Sequence, residues 1–196
     1  MRTFAAIALA ACLAACTAEQ APAPPAPAAP EQAPNANALT AQGWGPLRIG
    51  MTVAEITAAL GPDADPDSVG GADPAQCDQY RPERAPEGML LMVEQGLLTR
   101  ISLINESPLK TDRGFGLGDS AAAIKAAHGA SATSTPHRYA EAPAEYIAVW
   151  TNAQPGPGGY VQDPNARGIV YETGANGIVQ TIHAGGPSIQ YVEGCS

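Results

Sequence analysis

At 196 residues, with 45% of side chains hydrophobic, the chain has room for one or two packed domains. Its formal charge is −9, lysine occurs only as Lys110 and Lys125, and the arginines are scattered singly. No cluster of cations is therefore available to displace counterions from phosphates, which excludes nucleic acid as a partner, and the acidic excess reads as solubility.

Met1 to Ala15 opens with Arg2 and continues as an apolar run from Phe4, too short to span a bilayer, so residues 1–15 read as a signal peptide. The run ends in Leu13-Ala14-Ala15-Cys16, which resembles the bacterial lipobox. That resemblance implies that Cys16 receives a diacylglycerol and becomes the new N-terminus. Leu9-Ala10-Ala11-Cys12 has the same pattern, but cleavage there would leave an apolar run of about eight residues, near the lower limit for an export signal. The competing reading is a secreted protein cleaved at small residues and carrying no lipid. Two or more acyl chains make a stable anchor, because each buried methylene contributes about 0.8 kcal/mol. Thr17, where an Asp would favour inner-membrane retention, implies outer-membrane sorting with the domain on the periplasmic face. Residues 16–38 carry the lipidated cysteine and a Pro/Ala-rich linker with too few large apolar side chains to pack. At about 3.1 Å per residue such a segment reaches roughly 70 Å.

A first α+β unit is expected over residues 39–112. Leu47 and Ile49 alternate as in a short extended segment. Thr52 and Glu55 then form a capping box, Val53, Ile56 and Leu60 share one helical face, and Gly61-Pro62 stops the helix. Two or three turns are too few for a stable isolated helix, so it needs a sheet to pack on. Residues 62–86 read as loop, with an edge strand near Cys77 to Arg81. Met89 to Val93, a turn at Glu94-Gln95-Gly96, and Leu97 to Ile104 read as a hairpin. Leu97, Thr99, Ile101 and Leu103 are placed on the covered face, with Arg100 and Ser102 on the other.

A second unit is expected over residues 113–196, because Gly118, Ser120, Ile124 and Gly129 fall on Gly50, Thr52, Ile56 and Gly61 at one constant offset. Ser120 caps its helix without the box glutamate. A strand follows at Tyr146 to Trp150, then a Gly/Pro-rich loop from Gln154 to Gly159, and a hairpin from Gly168 to Glu172 and from Gly177 to His183.

Gly50-Met51-Thr52, Ile56 and Leu60-Gly61-Pro62 resemble the motif that opens the BamE (SmpA/OmlA) outer-membrane lipoproteins. Two tandem copies of helix plus sheet resemble the β-lactamase inhibitory protein family. The resemblance implies an α+β fold: two tandem units of a short helix followed by antiparallel strands, forming one sheet or two adjoining sheets with the helices on one face. It also implies a non-enzymatic, outer-membrane-anchored periplasmic lipoprotein that binds another envelope protein. The alternative is an inhibitor of a periplasmic protease, lysozyme or β-lactamase.

With Cys12 and Cys16 used in export, Cys77 and Cys195 remain, and an even pair in an oxidising compartment reads as a disulfide. It would tie the loop after the first helix to the C-terminus and make Ile189 to Val192 a last strand. A redox or metal-bound pair lacks both CxxC spacing and a neighbouring histidine. Asp63, Asp65 and Asp67 begin like a calcium loop, but Ser68 stands at its sixth position and Pro74 at its twelfth, so they are a weak calcium candidate beside a solvated acidic loop. No cofactor is expected. His128, His137 and His183 are far apart, and neither HExxH nor GxSxG occurs, so no catalytic set is assigned. Tyr139, Trp150 and Tyr160, around the Gly/Pro-rich loop, are the candidate interaction surface, since aromatic side chains beside loops resemble interface hot spots. For Trp150 the core-filling reading is favoured; for Tyr139 and Tyr160 both readings stand.

Overall fold

The computed structural model describes residue 35 and residues 37–68 and 71–195. The expected signal peptide, the lipidation site Cys16 and the linker up to residue 34 lie outside the described residues. The fold opens with a two-stranded ribbon, β1 (Gly43–Trp44) and β2 (Leu47–Arg48). Helix α1 (Val53–Leu60) follows, then β3 (Cys77–Tyr80), β4 (Met89–Glu94) and β5 (Leu97–Leu103). After α2 (Ala121–His128) come β6 (Ala132–Pro136), β7 (Glu145–Trp150), β8 (Gly168–Thr173) and β9 (Val179–Gly185). A 3₁₀ turn, Pro187–Gln190, begins the C-terminal segment.

Both helices start where a side chain can satisfy free backbone donors. The Thr52 hydroxyl accepts from the Glu55 N–H, and the Glu55 carboxylate accepts from the Thr52 N–H at 2.8 Å. Ser120 caps α2 by accepting from the Ala123 N–H at 3.2 Å. Each helix is eight residues long and anchors through one fully buried isoleucine, Ile56 or Ile124. Burying such a side chain contributes about 2 to 3 kcal/mol.

The strands form one seven-stranded antiparallel sheet in the order β3-β4-β5-β9-β8-β7-β6. This corrects the expected fold class. The described residues are dominated by a single sheet plus the small ribbon, with two short helices, and not by helix-then-strand tandem units. The physical reason is the β5–β9 ladder, Arg100 to Leu103 against Gly185 to Ile182, which joins the two hairpins into one hydrogen-bonded layer. The main core follows from it: Ile56, Leu60, Ile124, Leu91, Ile101, Leu103, Ile147, Tyr171 and Ile182 belong to the same buried cluster.

Three local expectations are also corrected. A bulge sets Val93 opposite Leu98 and Met92 opposite Arg100, leaving Thr99 as the extra residue. Leu98, not Leu97 or Thr99, therefore joins Ile101 and Leu103 in the core, and Leu97 is exposed. Ile189 to Val192 is not a strand, because Pro187 lacks the N–H that a ladder requires and instead starts the 3₁₀ turn. The polar strand β6 has no counterpart among the strands expected from the sequence. Its Ala-Thr-Ser-Thr-Pro run has no apolar alternation, and it is held by pairing with β7.

Candidate functional site

Arg100 and Ser102 do lie on the sheet face opposite the helices, but that face is not open to water around them. The C-terminal segment folds back across it and is fastened by the Cys77–Cys195 disulfide, with a Cα–Cα distance of 5.4 Å. Its own Ile189 and Cys195 are buried. Arg100 is 4% exposed, and its Nη1 donates to the carbonyls of Ser188 at 3.3 Å and Tyr191 at 3.0 Å, while Nε has no partner. Burial pushes the guanidinium down to about 10, against the opposing pull of the Glu94 and Glu172 charges, so it stays charged at neutral pH while two main-chain carbonyls of the segment accept its hydrogen bonds.

The other end of this distal face is a cleft of about 300 Å³. Its floor is built by register. Thr133, Ala148, Val170 and His183 are successive cross-strand partners, as are Thr135, Tyr146 and Glu172, so alternate residues of four strands project together. Trp150 closes one end by lying over Gly168, where a Cβ would come within 2.7 Å of the indole. The walls are the Pro/Gly-rich loop carrying Tyr160 and the C-terminal residues Ile189 to Val192. One side chain links the two walls: Gln190 accepts from the Val161 N–H at 2.8 Å and donates to the Val161 carbonyl at 2.9 Å.

Ser102, His183, Glu172 and His137 form a chain of polar groups under the cleft. The Ser102 hydroxyl lies 2.8 Å from His183 Nδ1, while His183 Nε2 is 3.8 Å from Glu172 Oε2. His137 Nε2 lies 2.9 Å from Glu172 Oε1, and the His137 ring stacks on Tyr146 at 4.6 Å. His137 Nδ1 accepts from the main-chain N–H groups of Tyr139 and Ala140. That fixes the neutral tautomer in which Nε2–H donates to Glu172. His183 first, through a long contact, and His137 then hold the Glu172 carboxyl below its ordinary range, outweighing burial. Burial holds the His183 imidazole below its own range, despite Glu172.

Two tempting chemistries fail on this geometry. The order serine, histidine, carboxylate suggests a nucleophilic triad, yet Ser102 is 1% exposed and is not among the residues that line the cleft. Two imidazoles and a carboxylate suggest a metal set, yet the Nε2 of His137 carries a proton, so its lone pair is not free to ligate. Among the described residues no group of three His, Cys, Asp or Glu is placed to hold a metal ion. Asp63 uses its carboxylate on the N–H groups of Asp65 and Arg81, whereas Asp65 and Asp67 are exposed.

Of the aromatic residues singled out in the sequence, Trp150 and Tyr160 both line the cleft. Trp150 is 9% exposed and belongs to a small core with Val161, Ala166, Val170 and Ile189, so it fills space and shapes the site at once. Tyr139 and Tyr160 border an adjoining shallow depression, and the Tyr139 hydroxyl donates to Glu193. Tyr191, Val192 and Glu172 escaped the sequence reading, as did the pairing of Ser102 with His183. Val170 and Glu172 sit on alternating positions of a visible strand, but the β5–β9 register that brings Ser102 to His183 leaves no sequence signal. No model of a known protein family, no curated protein and no solved structure matches the chain.

Proposed function

We propose that this chain is a non-enzymatic envelope lipoprotein, anchored through Cys16 in the outer membrane and facing the periplasm, whose distal sheet face binds another envelope protein. The observation that carries the binding surface is a clustering. Among the described residues five large apolar side chains are exposed, and four of them, Tyr139, Tyr160, Tyr191 and Val192, border the cleft and the depression beside it. Monomeric proteins scatter such side chains, and tyrosine-rich groupings mark recognition sites because tyrosine offers large contact area at little entropic cost. The lipobox, the linker and the resemblance to BamE lipoproteins support the location.

The test is site-specific crosslinking in the native envelope. A photoreactive residue at Tyr160 or Tyr191 should trap a defined protein, and one at Ala122, on the exposed side of α2, should not. Tyr160→Ala with Tyr191→Ala should remove the product. An unchanged product in that variant, or equal trapping from Ala122, overturns the reading. A hydrolase as the trapped species, with activity lost on titration, would instead identify an inhibitor.

A further inference from the structure

The floor of the cleft holds something that a purely apolar docking surface does not need, an ionised carboxylate. Glu172 is held by two imidazoles, neither of which neutralises it. His137 is fixed as the neutral Nε2–H tautomer by the Tyr139 and Ala140 N–H groups, and burial keeps His183 uncharged. Among the described residues no lysine or arginine approaches Glu172 within 4.0 Å; its close charged-group contacts are the two histidines. Arg100 directs its Nη1 to main-chain carbonyls of the C-terminal segment and feels the Glu172 charge only at longer range, and Arg138 is an exposed side chain among those lining the cleft. A negative charge without a direct cationic partner therefore remains at the bottom of the cleft, with one oxygen held by the His137 N–H.

Around that charge stand Tyr146, Trp150, Tyr160 and Tyr191. The faces of such rings attract cations, most strongly where water is partly excluded. About 300 Å³ accommodates one long side chain but not a folded segment. Resting on the partner-binding reading above, we infer that the cleft receives a lysine or arginine side chain of the partner polypeptide, with its charged head against Glu172 and its apolar stem along Trp150, Tyr160 and Tyr191. An acidic side chain is disfavoured there by Glu172, and an uncharged one would leave the carboxylate shielded from water without compensation.

The experiment uses the full-length protein and four probes: N-acetyl-lysine amide, N-acetyl-arginine amide, N-acetyl-norleucine amide and N-acetyl-glutamate amide. Binding is followed by tryptophan fluorescence and by NMR shifts at His137 and His183. The two basic probes should saturate, and norleucine should bind roughly tenfold more weakly, the scale of a partly desolvated cation contact. Added salt should weaken the basic probes and spare norleucine. Glu172→Gln should erase the preference. Because that change also alters the histidine contacts, Tyr160→Ala and Tyr191→Ala, at exposed positions, provide a second measure and should each weaken the basic probes several-fold.

Norleucine binding as tightly as lysine, glutamate binding best, or a basic preference that survives Glu172→Gln overturns the inference. If the probes show no preference while crosslinking still requires the tyrosines, the basic occupant is wrong and the surface reading stands. If the basic probes bind but crosslinking ignores the tyrosines, the partner reading falls together with the occupant named here.

Discussion

Replacing both Cys77 and Cys195 by alanine removes the covalent tie between β3 and the segment that walls the cleft. The bridge closes a loop with a sequence separation of 118. In the chain-entropy description, 2.1 + 1.5R ln 118 is about 16 cal/mol/K, or about 5 kcal/mol at 25 °C, lost from the unfolded ensemble. That is a ceiling. In the variant the end of the segment can peel away, and water then replaces the Tyr191 carbonyl on Arg100, which lowers the native-state cost. The expected net loss is about 3 to 5 kcal/mol, equivalent to roughly 6 to 20 °C in melting temperature for a chain of this size. Urea denaturation of the oxidised protein, the reduced protein and the double variant measures it, and the last two should coincide. Hydrogen exchange at Tyr191 to Gly194 should rise in both, while β4 and β5 keep their protection. A loss below about 1 kcal/mol, or unchanged exchange in the segment, would refute the claim that the disulfide holds this wall in place.

The other expectations address the core, its caps, the buried polar chain and the anchor. Ile56→Ala should cost about 3 kcal/mol in urea unfolding, because the side chain is fully buried between α1 and the sheet, whereas Thr52→Ala, which removes only a cap, should cost about 1 kcal/mol. The His183 imidazole is held below 6.5 by burial, so as pH falls below that value the unfolded chain binds a proton that the folded chain refuses, and stability drops; His183→Gln should flatten this limb of the urea midpoint against pH. Glu172 is held below 4.5, so its contribution is complete above that value and is lost as pH falls through its lower folded value; Glu172→Gln should flatten that second, more acidic limb. Cys16→Ser should move the protein from the membrane fraction to the soluble fraction, and retention in the membrane without the thiol would overturn the lipid anchor.

The helix starts were legible because their chemistry is local. Thr52 with Glu55, and Ser120 alone, satisfy donors three residues away, and the structure places both caps there. Hairpin turns at Gly96 and Gly177 were legible for the same reason: φ values of 77° and 69° are ones that glycine adopts without a Cβ penalty. The face assignment of β5 failed at Thr99 because a bulge is set by the pairing partner, Met92-Val93, and alternation within one strand cannot reveal it. For the same reason Arg100 and Ser102 looked solvent-facing. Nothing in their own strand announces that a segment about ninety residues later will cover them. Part of the cleft's aromatic lining, Trp150 and Tyr160, was visible as residues beside a Gly/Pro-rich loop, but the carboxylate of Glu172 on the cleft floor was not.

Periodicity and spacing by themselves determined what depends on neighbours along the chain, the helix caps and most strands, and the cysteine count left Cys77 and Cys195 as the pair that the structure joins. The tertiary structure alone decided what depends on register between distant strands. It merged the hairpins into one seven-stranded sheet through β5 and β9, placed Ser102 beside His183, and laid the disulfide-fastened C-terminus across the distal face. The division has a physical cause. Caps and turns are satisfied within a few residues, whereas a ladder between remote strands is selected by the total burial it permits, a quantity that belongs to the whole fold.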